Sequence, residues 1–174
     1  MSILISVVIP CYNHGKYITK AIQSVLEYEF PEEVEILVIN DGSTDPETLK
    51  VLSELSDPHV QVYHQENKGL AKSRNRGVQL AQGRYILPLD SDNYIKHEYI
   101  GISKQILDAR RDIDVVYCDR IIFNDHSNVY QKVPEYSLKE ILFGNKIDAC
   151  AVFRKSMWES LGGYDEFMPV MGYE

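Results

Sequence analysis

The sequence predicts an α/β fold with a mostly parallel central sheet flanked by helices, and three observations carry that expectation. The run ILISVVIP (3–10) is continuously apolar, β-branched and of strand length, the pattern of a strand covered on both faces. VEILVIN (34–40) repeats it. Between the two, Tyr17, Ile18, Ala21, Ile22, Val25 and Leu26 recur at helical spacing, which predicts an amphipathic crossover helix over 15–28 and so a βαβ unit.

The alternation continues along the chain. A helix is expected over 45–56, with Asp45 as its N-cap and Pro46 at its first position, where the missing N–H costs nothing. HVQVYH (59–64) reads as a short strand, 69–82 as a helix, and RYILPLD (84–90) as a further buried strand. A longer helix over 95–111 follows. DVVYCDRIIF (114–123), the turn NDHSN and VYQKV (129–133) then read as a hairpin, so antiparallel additions are expected after about residue 114. No repeat, linker or low-complexity stretch divides residues 1–174, which read as a single domain.

Composition narrows the function classes. At 174 residues, 44% hydrophobic and 25% charged, the chain has enough apolar material for one core. A net charge of -8 without any Lys/Arg run argues against nucleic acid as a partner. Cys11, Cys118 and Cys150 are odd in number and form no CxxC pair, which disfavours a disulfide framework or zinc site and fits a cytoplasmic location. The apolar N-terminal run lacks a basic flank and is far too short to span a bilayer. His14, His59, His64, His97 and His126 show no metal-ligand spacing and read as surface or loop residues. Trp158, Met157 and Leu161 read as core packing.

In open α/β sheets, ligands sit beyond the carboxyl ends of the strands, near the point where strand order reverses. Those ends carry PCYNHG, NDGSTD and LDSDN, which brings Tyr12, Asn13, Asp41, Ser43, Asp90 and Asp92 to one rim. Singly, each has an ordinary turn or capping role. Together, Asp41, Asp90 and Asp92 would repel one another unless a cation or donor joined them. An Asp-x-Asp offers hard oxygen ligands suited to Mg²⁺ or Mn²⁺, and such an ion would let an acidic protein hold a diphosphate. There is no GxxxxGK[ST] loop and no GxGxxG after the first strand. The segment ENKGLAKSRNRG (66–77) instead supplies the basic cluster nearest the rim, Lys72, Arg74 and Arg76, from which a guanidinium could grip phosphate bidentately.

The ordered segments VVIPCYNHGKYITKAIQSV, ILVINDGSTD, NKGLAKSRNRGV, GRYILPLDSDN and LGGYDE resemble the family 2 glycosyltransferases, over nearly the whole chain. The resemblance implies the GT-A fold, a Rossmann-like, mostly parallel sheet. It also implies transfer of a sugar from a nucleotide-diphosphate donor, usually UDP-linked, to an acceptor hydroxyl with inversion, in the synthesis of cell-envelope polysaccharide or other glycans. Carried onto this sequence, Pro10 and Tyr12 match the loop that packs on the base, Asp41 the acid that bonds the base, and Arg74 the basic residue near base and phosphates. Asp90 matches the acid facing ribose or sugar, and Asp92 the one facing metal and diphosphate; both are the candidate ligands for Mn²⁺ or Mg²⁺. Asn13, Lys68, Gly69 and Ser91 complete the expected nucleotide site. The family's base is usually the Asp of a Glu-Asp pair shortly after a GG[FY]DE segment, which here falls one position past Glu174. The chain thus reads as the donor-binding portion of a longer enzyme, truncated at its C-terminal end, with Asp92 and Glu174 as catalytic candidates. The implied partners are a UDP-sugar and a glycan or lipid-linked acceptor, with peripheral association of the full-length protein at the inner membrane face. The alternative reading is a nucleotide-sugar-binding module without turnover.

Overall fold

The computed structural model describes residues 3–124 and 127–167, leaving aside the side chains of Asn124 and Glu140. Six strands form the main sheet: β1 (Ile5–Cys11), β2 (Val34–Asp41), β3 (Val60–Gln65), β4 (Tyr85–Pro88), β5 (Val115–Val116) and β8 (Val152–Arg154). A separate hairpin pairs β6 (Arg120–Asn124) with β7 (Ser127–Gln131). The helices are α1 (Gly15–Leu26), α2 (Pro46–Glu54), α3 (Leu70–Leu80), α4 (Glu98–Ala109), α5 (Leu138–Phe143) and α6 (Lys155–Leu161).

The sheet order is β3-β2-β1-β4-β8-β5. The first four strands are parallel, and β8 runs antiparallel to both β4 and β5. Every residue of β1 and β2 is buried, as their unbroken apolar runs require of parallel strands covered on both faces. Period-two alternation then sorts the side chains. Val7, Ile9, Ile36 and Val38 join α1, α2 and α4 on one face, whereas Val8, Leu37 and Ile39 join α3 on the other. Helix α3 approaches closely at Gly77, where an added Cβ would lie 2.2 Å from a Val8 methyl carbon.

Polar groups close the base of the sheet. Glu35, buried on β2, accepts hydrogen bonds through Oε1 from the Ser6 hydroxyl (2.6 Å) and the Gln82 amide (2.6 Å). Ser6 in turn accepts from the Gly83 amide at 2.8 Å. Arg154 on β8 donates to the Leu107 carbonyl in the last turn of α4 and to the Arg110 and Ile113 carbonyls just beyond it, tying the end of α4 to the sheet.

Two expectations are corrected, and the structure adds elements that the sequence did not predict. The single strand over 114–123 is two short strands in different sheets, because Val115–Val116 pairs with β8 and the chain then leaves for the hairpin. β8 and α6 were not anticipated; they are short, and β8 exists through partners far away in sequence. Leu161 is 72% exposed, so it is not core, whereas Met157 and Trp158 pack against the α3 face of the sheet.

Candidate functional site

Strand order reverses at β1, which lies between β2 and β4, so the crevice for a ligand opens beyond the ends of β1 and β4. The loops on its two sides are joined directly: His14 Nδ1 and Ser91 Oγ are hydrogen-bonded at 2.8 Å. His14 is thus a loop residue, as its lack of a spacing motif suggested, and this bond fixes it in place.

Asn13 builds the second side. It sits in the left-handed region (φ 56°), and its Oδ1 accepts from the amides of Thr44 (2.8 Å) and Asp45 (2.9 Å). Its own amide donates to Ser43 Oγ at 3.0 Å. Asn13 thus clamps the loop after β1 to the loop after β2 and leaves Tyr12 at the rim, 48% exposed. Pro10 lies inside β1 and is buried.

Asp41, at the end of β2, is buried and well supplied with donors. Its Oδ1 accepts from Gln65 Nε2 (2.6 Å) and the Lys68 amide (2.8 Å), and its Oδ2 from the Gly69 amide (2.8 Å). Lys68 and Gly69 therefore enter the site through their backbone, with Gly69 at φ 87° leading into α3. Arg76, on α3, donates to the His64 carbonyl and to Gln65 Oε1 and so faces the end of β3. Lys72 lies on the first turn of α3.

Arg74 faces the crevice. Its Nη2 donates to Asp90 Oδ1 at 2.6 Å with its side chain only 13% exposed, while its buried Nε has no hydrogen-bond partner among the described residues. The expected mutual repulsion of three acids is relieved by protein donors at two of them, the loop amides at Asp41 and the guanidinium at Asp90. Asp92 is exposed and carries no partner among the described residues. Among the described residues no group of three or more His, Cys, Asp or Glu is placed to hold a metal ion. The unengaged Asp92 carboxylate and the second oxygen of Asp90 nonetheless fit an ion held by one or two carboxylates, with water and phosphate oxygens as its other ligands.

Sequence reasoning passed over two residues that lie against Arg74 and the Asp90–Asn93 loop. Tyr164, in the turn after α6, places its ring 5.9 Å from the Arg74 guanidinium. Burial raises its phenol above the ordinary range, and Asp90 adds to that against the opposing charge of Arg74. Cys150 receives the Asn93 Nδ2 at 3.8 Å, and burial likewise pushes its thiol up. The segment LGGYDE carried the signal for Tyr164, but only the fold shows which helix the turn meets. Glu174 lies outside the described residues.

The geometry is matched by the comparisons. The pattern of the family described as Glycosyl transferase family 2 fits residues 6–162. Glycosyltransferase GlyG of Streptococcus pneumoniae is 40% identical over 118 residues, 67% of this chain and 38% of that protein. Chondroitin synthase of Escherichia coli is 29% identical over 94% of this chain and 24% of its own length. Among solved structures, S. aureus TarS 1–349 superposes with a TM-score of 0.79 at 26% identity, over 97% of this chain and 52% of that one. Its complex with UDP-GlcNAc gives 0.76 at 25% identity, over 93% and 48%. The chain therefore spans less than half the length of GlyG and about half of that TarS chain. No helix among the described residues is long and apolar enough to cross a membrane. With its motifs in order and its loops gathered at the switch point of a GT-A sheet, the chain belongs to glycosyl transferase family 2.

Proposed function

We propose that the chain forms the donor-binding part of an inverting glycosyltransferase that uses a UDP-sugar in cell-envelope polysaccharide or glycan synthesis. The observation that carries this is the Arg74–Asp90 ion pair at the sheet's switch point, two positions before the exposed Asp92. TarS in complex with UDP and with UDP-GlcNAc, and the chondroitin synthases among the relatives, support the donor class and the polysaccharide context.

In this reading Tyr12 stacks on the base, and Asp41 accepts its imino hydrogen through the lone pair that the Gly69 amide leaves on Oδ2. Arg74 offers the diphosphate a planar fork of donors. Asp90 and Asp92 would hold Mn²⁺ or Mg²⁺, which when bound neutralises charge on the departing diphosphate. The acceptor hydroxyl attacks the anomeric carbon, the bond to the diphosphate oxygen breaks, and the hydroxyl proton passes to a base on the opposite face. Glu174 remains the proposed candidate for that base within this chain.

The melting temperature with UDP, GDP and ADP, each with and without Mn²⁺, tests the reading, since a ligand of the folded state raises apparent stability. A shift confined to UDP with Mn²⁺, and abolished in Asp92→Asn, is expected. The same shift with all three nucleotides, or an unchanged one in Asp92→Asn, overturns the base preference or the metal role respectively.

A further inference from the structure

Asn75 follows Arg74 on α3, is 5% exposed, and directs its whole side-chain amide at the turn after α6. Its Oδ1 accepts from the Trp158 indole Nε1–H (3.2 Å) and from the Tyr164 amide (2.8 Å). Its Nδ2 donates to the Tyr164 carbonyl (2.9 Å) and to Glu166 Oε1 (2.8 Å). Gly163 lets the turn come this close: its φ is 88°, and a Cβ there would stand 2.9 Å from Asn75 Oδ1 and 3.1 Å from the Trp158 ring. A buried amide with all these bonds made fixes geometry, because losing it would strand several partners at once.

Consecutive residues of one helix therefore face two different parts of the molecule. Arg74 reaches Asp90 on the donor side, and Asn75 holds the main chain of Tyr164, whose ring lies against the Arg74 guanidinium. Arg74 also keeps a buried Nε without a partner among the described residues. A diphosphate offering oxygens to this guanidinium would compete with Asp90 and shift the cation relative to the Tyr164 ring.

We propose that Asn75 is a positioning residue that seats Tyr164 as a wall of the donor site, so that a nucleoside diphosphate bound at Arg74 is felt in the turn and at Trp158. This rests on the donor reading above and names the residues that extend that site. Trp158, on α6 and bonded to Asn75, is the chain's one tryptophan, so the tryptophan emission comes from this one place beside the turn.

The test titrates UDP with Mn²⁺ into the chain and follows calorimetric heat and Trp158 emission in parallel, for wild type, Asn75→Ala and Tyr164→Leu. In wild type, emission should change saturably with the midpoint of the heat. Tyr164→Leu keeps the Asn75 bonds, which go to main chain, indole and Glu166. It should therefore retain the unliganded spectrum, bind UDP about fivefold more weakly through loss of the ring–cation contact, and lose the emission response. Asn75→Ala should lose the response as well, from a changed unliganded spectrum. If that variant does not fold, Tyr164→Leu decides alone. Heat without any emission change in wild type, or a full response in Tyr164→Leu, overturns the positioning role while leaving the donor reading intact. No heat in wild type overturns the donor reading and this role with it.

Discussion

His14 Nδ1 lies 2.8 Å from Ser91 Oγ, which ties the loop after β1 to the Asp90–Asp92 loop across the switch point of the sheet. If the proposed base site and diphosphate site lie on these two loops, the bond sets the distance between them. His14→Ala and Ser91→Ala should each weaken UDP binding by about three- to tenfold, the range of one net hydrogen bond. The double variant should be little worse than either, because both remove the same link. Calorimetric affinities forming an additive cycle would show that the bond does not act on the site.

Asp41 joins three donors, the Gln65 side chain and the amides of Lys68 and Gly69. Its replacement should therefore damage folding as well as binding. Asp41→Ala is expected to cost about 3 kcal/mol, because buried donors to a carboxylate lose their partner. That is a fall in melting temperature of about 6–12 °C for a domain of this size. Asp41→Asn, which keeps one acceptor oxygen, should lose roughly half as much. A thermal scan showing both variants as stable as wild type would contradict this role.

Much of this was legible in the sequence, and the limits have a physical cause. β1, β2 and β4 announce themselves because a strand covered on both faces must be apolar throughout. The rim residues follow because they sit where those runs stop. What periodicity does not contain is the partner across space: His14 and Ser91 are 77 positions apart, and Asn75 and Tyr164 are 89 apart. β8, only three residues long, is stabilised by strands on either side of it rather than by any pattern of its own. Asp41 shows the same gap in charge reasoning, since two of its three donors are backbone amides, which no sequence displays, and the third is Gln65, 24 positions away.

Glu35 was hidden inside VEILVIN for that reason too, as a carboxylate in a run that otherwise reads as core. Its partners are the Ser6 hydroxyl and the Gln82 amide, both at Oε1. Glu35→Gln preserves an acceptor oxygen in the same place and should cost about 1 kcal/mol or less. Glu35→Ala leaves a buried amide and hydroxyl unpaired and should cost about 2–3 kcal/mol. Urea unfolding separates the two cases, and equal losses would show that the charge, not the hydrogen bonds, is what matters.

Asp45 provides a pH dependence whose sign follows from its cap. Its carboxylate accepts from the Thr48 hydroxyl and the Thr48 amide at the start of α2, and these bonds hold its pKa below the ordinary 3.8. A group whose pKa is lowered by folding binds fewer protons folded than unfolded, so its stabilisation is complete above the unfolded value. It is lost as pH falls through the lower folded value. The melting temperature of Asp45→Ala should thus lie below that of wild type by a constant margin from neutral pH down to about pH 5. Below pH 3.8 the two curves should converge as the wild-type carboxylate takes up its proton and the cap loses its charge. Asp45→Asn, which caps without titrating, should keep its advantage over Asp45→Ala in that acid range, and a wild-type margin over Asp45→Ala that persists undiminished there would show that the cap's contribution does not depend on the ionised carboxylate.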